Sequence, residues 1–208
     1  LTDVKVCGLT REEDVDAACA LGAAYVGFNF SALSPRRVRP ARARRLAAAA
    51  RGALRVGVFV DESYRDIEEA VVEASLDLVQ IHRRLTADDL QHVGVPVLAV
   101  AHAGRDDEIP PRELLERCAG ILFDSPSPGG GGGTGVPFDW TLLGGRAWPV
   151  PLFVAGGLHA GNVGDSIART RAAAVDVASG VEVSPGVKDR AKMEKFFAAV
   201  READARAG

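Results

Sequence analysis

Short runs of β-branched and apolar residues recur along the chain, each followed by a stretch whose apolar spacing suits a helix. The runs predict strands at Val4–Cys7, Ala24–Phe30, Leu54–Val60, Leu78–His82, Val97–Ala101, Gly120–Asp124, Leu152–Ala155 and Ala174–Ala178. Helix starts are marked between them. Thr10 with Glu13 at the third position reads as a capping box, and Thr86 with Asp89 as a weaker one. Pro40, Pro110 and Pro111 stand where first-turn prolines lose no hydrogen bond. The segment from Lys188 to Ala205 reads as a long charged amphipathic helix. Eight strands, each followed by a helix or a short substitute, predict an α/β chain folded as one (β/α)8 TIM barrel domain over residues 1–208. An open doubly wound sheet has the same local pattern and is the rival fold; the count of eight favours closure.

Composition narrows this only slightly. With 208 residues, 47% apolar and 25% charged, the chain can bury one substantial core. A net charge of −3 argues against nucleic acid as the main partner, since duplex phosphates demand a basic surface. No apolar run approaches the ~20 residues that span a bilayer, so no membrane partner is expected. The first residues lack the basic and apolar regions of a secretory signal. Three cysteines, at 7, 19 and 118, have no CxxC spacing and read as cytosolic thiols, giving a cytoplasmic protein. No His and carboxylate set has metal-ligand spacing, so no metal is expected. The chain is read as a monomer or homodimer.

In a barrel the C-terminal ends of the strands converge on one face, where active sites sit. Here those ends carry Cys7-Gly8, Asn29, Asp61, His82, His102, Asp124, Gly156-Gly157 and Ser179-Gly180. A lone Cys is usually a small buried apolar residue, but Cys7 ends a strand. Asp124 before a Ser-Pro turn reads as a turn starter elsewhere; here it faces the same opening as Cys7. Such a pair can take a proton from carbon while giving one to oxygen. Alternation points Lys5 and Cys7 into the barrel, and Asp176 on the last strand too. First and last strands adjoin in a closed barrel, so a buried Lys5–Asp176 ion pair is expected. Three glycine-bearing turns, at Gly132-Gly133-Thr134-Gly135, Gly156-Gly157 and Ser179-Gly180, offer bare backbone N–H groups to a phosphate. Arg36, in the loop after the second strand, has two readings: solvent-exposed charge, or a bidentate carboxylate binder. His82 reads as a hydrogen-bonding wall residue.

Taken together, Lys5-Val6-Cys7-Gly8-Leu9-Thr10, Ser34-Pro35-Arg36, Gly57-Val58-Phe59-Val60, Val79-Gln80-Ile81-His82, Gly132 to Gly135, Ala155-Gly156-Gly157-Leu158 and Asp176 to Glu182 with Pro185-Gly186-Val187-Lys188-Asp189 resemble the phosphoribosylanthranilate isomerases of tryptophan biosynthesis. The resemblance runs in order over nearly the whole chain. It implies a cofactor-free barrel that takes a small phosphorylated substrate through an Amadori rearrangement. Cys7 would be the general base, Asp124 the general acid and Arg36 the holder of the anthranilate carboxylate. His82 would line the substrate pocket. The backbone around Gly132, Gly133, Thr134, Gly135, Gly156, Gly157, Ser179 and Gly180 would hold phosphate. After His82 the family usually continues with Gly and an acidic pair, whereas this chain has Arg83-Arg84-Leu85, an expected addition of positive charge to the rim. Another phosphosugar-binding barrel enzyme and a non-catalytic binding relic are the alternatives.

Overall fold

A computed structural model describes residues 1–126 and 137–207. Eight parallel strands close into a barrel in chain order: β1 Asp3–Val6, β2 Tyr25–Asn29, β3 Leu54–Phe59, β4 Leu78–Ile81, β5 Val97–His102, β6 Gly120–Asp124, β7 Leu152–Val154 and β8 Ala174–Val177. The rival open sheet is thereby excluded, since β1 pairs with β8 as well as with β2. Helices α1 Glu12–Ala20, α2 Pro40–Ala49, α3 Tyr64–Ala74, α4 Ala87–His92, α5 Arg112–Leu115 and α6 Val163–Thr170 follow β1 to β5 and β7. Between β6 and β7 the described residues hold only a 3-10 turn, Trp140–Leu142. After β8 come a short hairpin, β9 Glu182–Ser184 with β10 Val187–Lys188, and the long helix α7 Arg190–Ala207.

Strand alternation sorts the apolar residues into two cores. Val4, Val6, Val26, Phe28, Val79, Ile81, Ile121, Phe123, Val175 and Val177 face outward and pack under the helices with Leu46, Ile67, Met193 and Phe196. Leu98, Val100, Leu122, Phe153, Ala155 and Ala174 fill the interior, with Tyr25 edge-on to Phe153 at 5.3 Å between ring centroids. Polar residues also face inside, and among them Lys5 and Asp176 stand opposite each other. They are register partners across the β1–β8 seam, and Lys5 Nζ donates to Asp176 Oδ2 at 2.9 Å.

The helix starts divide. Thr86 and Asp89 form a complete capping box on α4, and Ser63 and Asp66, unmarked in the sequence reading, form another on α3. Thr10 does not cap α1, whose N-cap is Arg11, and the Arg11 side chain makes no capping bond. The Thr10 hydroxyl instead donates to Gly186 O at 2.6 Å, in the turn of the β9–β10 hairpin, and Arg11 pairs with Asp14. The Thr10 side chain is oriented by a long-range acceptor and not by the N–H donors of the first helical turn.

Candidate active site

A cavity of about 420 Å³ opens at the C-terminal ends of the strands. Cys7, Arg36, His82, Asp124, Gly156, Gly157 and Ser179 line it, with Asn29, Gln80 and Asp176. Asp61 is exposed outside the lining, and His102 is buried behind it. Gly180 sits just beyond the lining, against the carbonyl of Leu158. Gly132, Gly133, Thr134 and Gly135 lie outside the described residues.

Cys7 follows β1 directly, its N–H donating to Val177 O at 2.9 Å. Opposite it β2 carries Gly27, where a Cβ would stand 2.8 Å from Cys7 Sγ. Burial pushes the Cys7 thiol above its ordinary value; Lys5 pulls it down and Asp176 pushes it up. Burial works against the Lys5 ammonium, yet Asp176 and Cys7 outweigh it and hold Lys5 above its usual value.

Asp124 closes β6 facing the same space. Burial raises its carboxyl to about 6, although Ser125 N–H donates to Oδ1 at 2.7 Å and works the other way. Gly156 makes this packing possible: a Cβ there would meet the Ser125 hydroxyl and backbone, and its φ of +81° is one that glycine adopts without strain. Gly157 is likewise at positive φ, and the N–H groups of both glycines donate to no acceptor among the described residues.

The Gln80 side-chain nitrogen lies 2.6 Å from His82 Nε2. Burial first, with Lys5 and His102 adding to it, lowers His82 to about 3, so the ring is neutral at physiological pH. A neutral ring accepting at Nε2 carries its proton on Nδ1. Three buried polar atoms in this wall, His82 Nδ1, Gln80 Oε1 and Asp176 Oδ1, have no partner among the described residues. Buried polar atoms are costly unless bonded, so this wall suits a ligand rich in hydroxyls. Behind it His102 Nδ1 is 2.6 Å from Glu108 Oε2.

Arg36 is the least exposed arginine of the rim, 16% by side chain. Its Nε and Nη2 donate to Glu182 Oε1 and Oε2 at 2.9 and 2.7 Å. Lys188, fully buried, donates to Glu182 Oε1, Cys7 O and Ala178 O. Glu182 and Lys188 escaped the sequence reading as site residues. They lie in the hairpin beyond β8, where side-chain facing has no simple period, although both stand in the motif that carries the resemblance. Gln80 was more legible, being two residues before His82 and therefore on the same face of β4.

The expected charge from Arg83 at the rim is spent nearby. Its guanidinium pairs with the buried Asp89 of the α4 capping box and lies 5.8 Å from the Tyr64 ring centroid. Arg84 is exposed. The departure from the family pattern at Arg83 is therefore absorbed by a structural contact.

A family model described as N-(5'phosphoribosyl)anthranilate (PRA) isomerase matches residues 4–199. The N-(5'-phosphoribosyl)anthranilate isomerase of Rhizobium meliloti (strain 1021) is 42% identical over 216 residues, covering 98% of this chain and 99% of its own. The phosphoribosyl anthranilate isomerase of Thermotoga maritima superposes with a TM-score of 0.85 at 31% identity, over 97% of this chain and 100% of that one. A further such isomerase, solved with reduced 1-(o-carboxyphenylamino)-1-deoxyribulose 5-phosphate, gives a TM-score of 0.82 at 29% identity, over 97% and 100%.

Proposed function

Because the chain belongs to the N-(5'-phosphoribosyl)anthranilate isomerase family, we propose that residues 1–208 act as one barrel domain in which Cys7 and Asp124 carry the family's reaction. That reaction is the Amadori rearrangement of N-(5'-phosphoribosyl)anthranilate to 1-(2-carboxyphenylamino)-1-deoxyribulose 5-phosphate, a step of tryptophan biosynthesis. Asp124 gives its proton to the furanose ring oxygen, and the C1–O bond breaks to leave a protonated Schiff base. Cys7, as thiolate, removes the C2 proton, and the electron pair moves through C1 to nitrogen. The resulting enaminol tautomerises to the ketone, so C1 is reduced as C2 is oxidised and no outside electron acceptor is needed.

The observation that carries this reading is one cavity shared by Cys7 and Asp124, with burial holding Asp124 at about 6. A carboxyl near the working pH keeps a protonated fraction and still gives it up readily. Burial raises the Cys7 thiol, which makes its thiolate scarcer but more basic, and Lys5 is the cation at hand to support that thiolate. Ser179, Gly156 and Gly157 offer backbone donors for the phosphate, and the unpartnered atoms of His82, Gln80 and Asp176 suit the sugar hydroxyls. Among the described residues no helix is long and apolar enough to cross a membrane, and a cytoplasmic setting fits a biosynthetic step.

Turnover of freshly made phosphoribosylanthranilate, followed by loss of anthranilate fluorescence, tests the assignment. Cys7→Ala and Asp124→Asn should each lose at least ~100-fold in kcat while still binding the product analogue. Near wild-type kcat in either variant removes that residue from its role.

A further inference from the structure

We infer that Glu182 is a positioning residue that turns the Arg36 guanidinium so that its end-on fork is the part presented to the substrate carboxylate. This rests on the reading of Arg36 as the carboxylate holder. A guanidinium has two bidentate edges, one through Nε and Nη2 and one through the two Nη groups. Glu182 occupies the first, at 2.9 and 2.7 Å. Among the described residues Nη1 donates to nothing, so the second edge keeps its protons for the cavity that Arg36 lines.

Glu182 is itself fixed. Its Oε1 also accepts from Lys188 Nζ at 2.8 Å and from Gly186 N–H at 3.2 Å, and its side chain is 4% exposed. Lys188 in turn is pinned to the carbonyls of Cys7 and Ala178. Beneath the arginine, Gly8 has no side chain, and a Cβ there would collide with Arg36 Cδ. The plane of the guanidinium is thus set from two sides by groups tied to the end of β1 and the end of β8. Two cations, Arg36 and Lys188, share the one Glu182 carboxylate, so the cluster keeps one net positive charge beside the cavity. A freely rotating arginine would have to order this geometry on binding, a cost that preorganisation removes.

Two probes separate the possibilities: reduced 1-(2-carboxyphenylamino)-1-deoxyribulose 5-phosphate and its anilino counterpart without the carboxylate. Calorimetric affinities would be measured for wild type, Glu182→Gln, Glu182→Asp and Arg36→Met. The expected result is that both Glu182 variants lose about tenfold for the carboxylate probe and almost nothing for the anilino probe. Steady-state KM should rise by a similar factor of about ten with kcat within threefold. The anilino probe reports that the pocket is intact, and Glu182→Asp keeps the test open should Glu182→Gln fail to fold. Undiminished preference for the carboxylate in the Glu182 variants, with that preference lost in Arg36→Met, overturns this inference alone. Preference retained in Arg36→Met overturns the role of Arg36 together with it.

Discussion

At Asp124 chemistry and stability pull against each other. Its carboxyl titrates from 3.8 in an ordinary setting to about 6 in the fold, chiefly through burial. Well below pH 3.8 it is protonated in the folded and unfolded chain alike, and its titration contributes nothing. Between 3.8 and about 6 the unfolded chain releases a proton that the folded one keeps. Above that window the folded protein holds an ionised, buried carboxylate at a cost of about 2–3 kcal/mol. Asp124→Asn should therefore raise the unfolding free energy by about that amount at pH 8 and by only about 0.2 kcal/mol at pH 3.5. Denaturant titrations at the two pH values check this; an equal gain at both would remove burial of the charge as the cause. The positions of Cys7, Asp124 and His82 at the cavity were readable as strand ends. The partnership of Arg36 with Glu182 was not, because 146 residues separate them and no local pattern links a loop arginine to a hairpin acid.

Among the elements, strands were legible to within a residue or two at each end, since a strand buried on both faces shows itself as an apolar run. Helix caps were legible only where nothing distant competed. Thr86 and Asp89 close a box as their spacing suggests, while Thr10, with equally good spacing, is drawn off by Gly186. Thr10→Ala should accordingly leave amide protection in the first turn of α1 as it is and lower protection in the β9–β10 hairpin. Hydrogen exchange resolves the two, and selective loss in α1 would refute the assignment. Ser63 with Asp66 has the same spacing and the same Asp partner as Thr86 with Asp89, so its signal was present in the sequence and was passed over. Arg83 illustrates the opposite error: a charge assigned to the solvent-facing rim is neutralised by the Asp89 that also caps α4.

For the molecule as a whole, the β1–β8 seam decides closure, and Lys5 with Asp176 is the polar pair set into it. Parity on two strands was enough to foresee the pair, because a closed barrel forces first and last strands together. Removing one member strands the other charge in the interior. Lys5→Met should thus cost about 3–5 kcal/mol, and Lys5→Met with Asp176→Leu clearly less. Urea unfolding of the two variants compares them directly, and additive losses would mean the charges do not depend on each other. The same seam bears on how the chain is made. A ribosome delivers Lys5 some 171 positions before Asp176, an interval of roughly 10–30 s at ordinary elongation rates. Throughout that interval β1 has an open edge, the kind of surface on which nascent chains stick to one another. An ammonium group on the inward face of that edge strand is a solvated guard while synthesis continues. It becomes a buried half of the seam only when the last strand arrives, so one residue serves solubility first and closure afterwards.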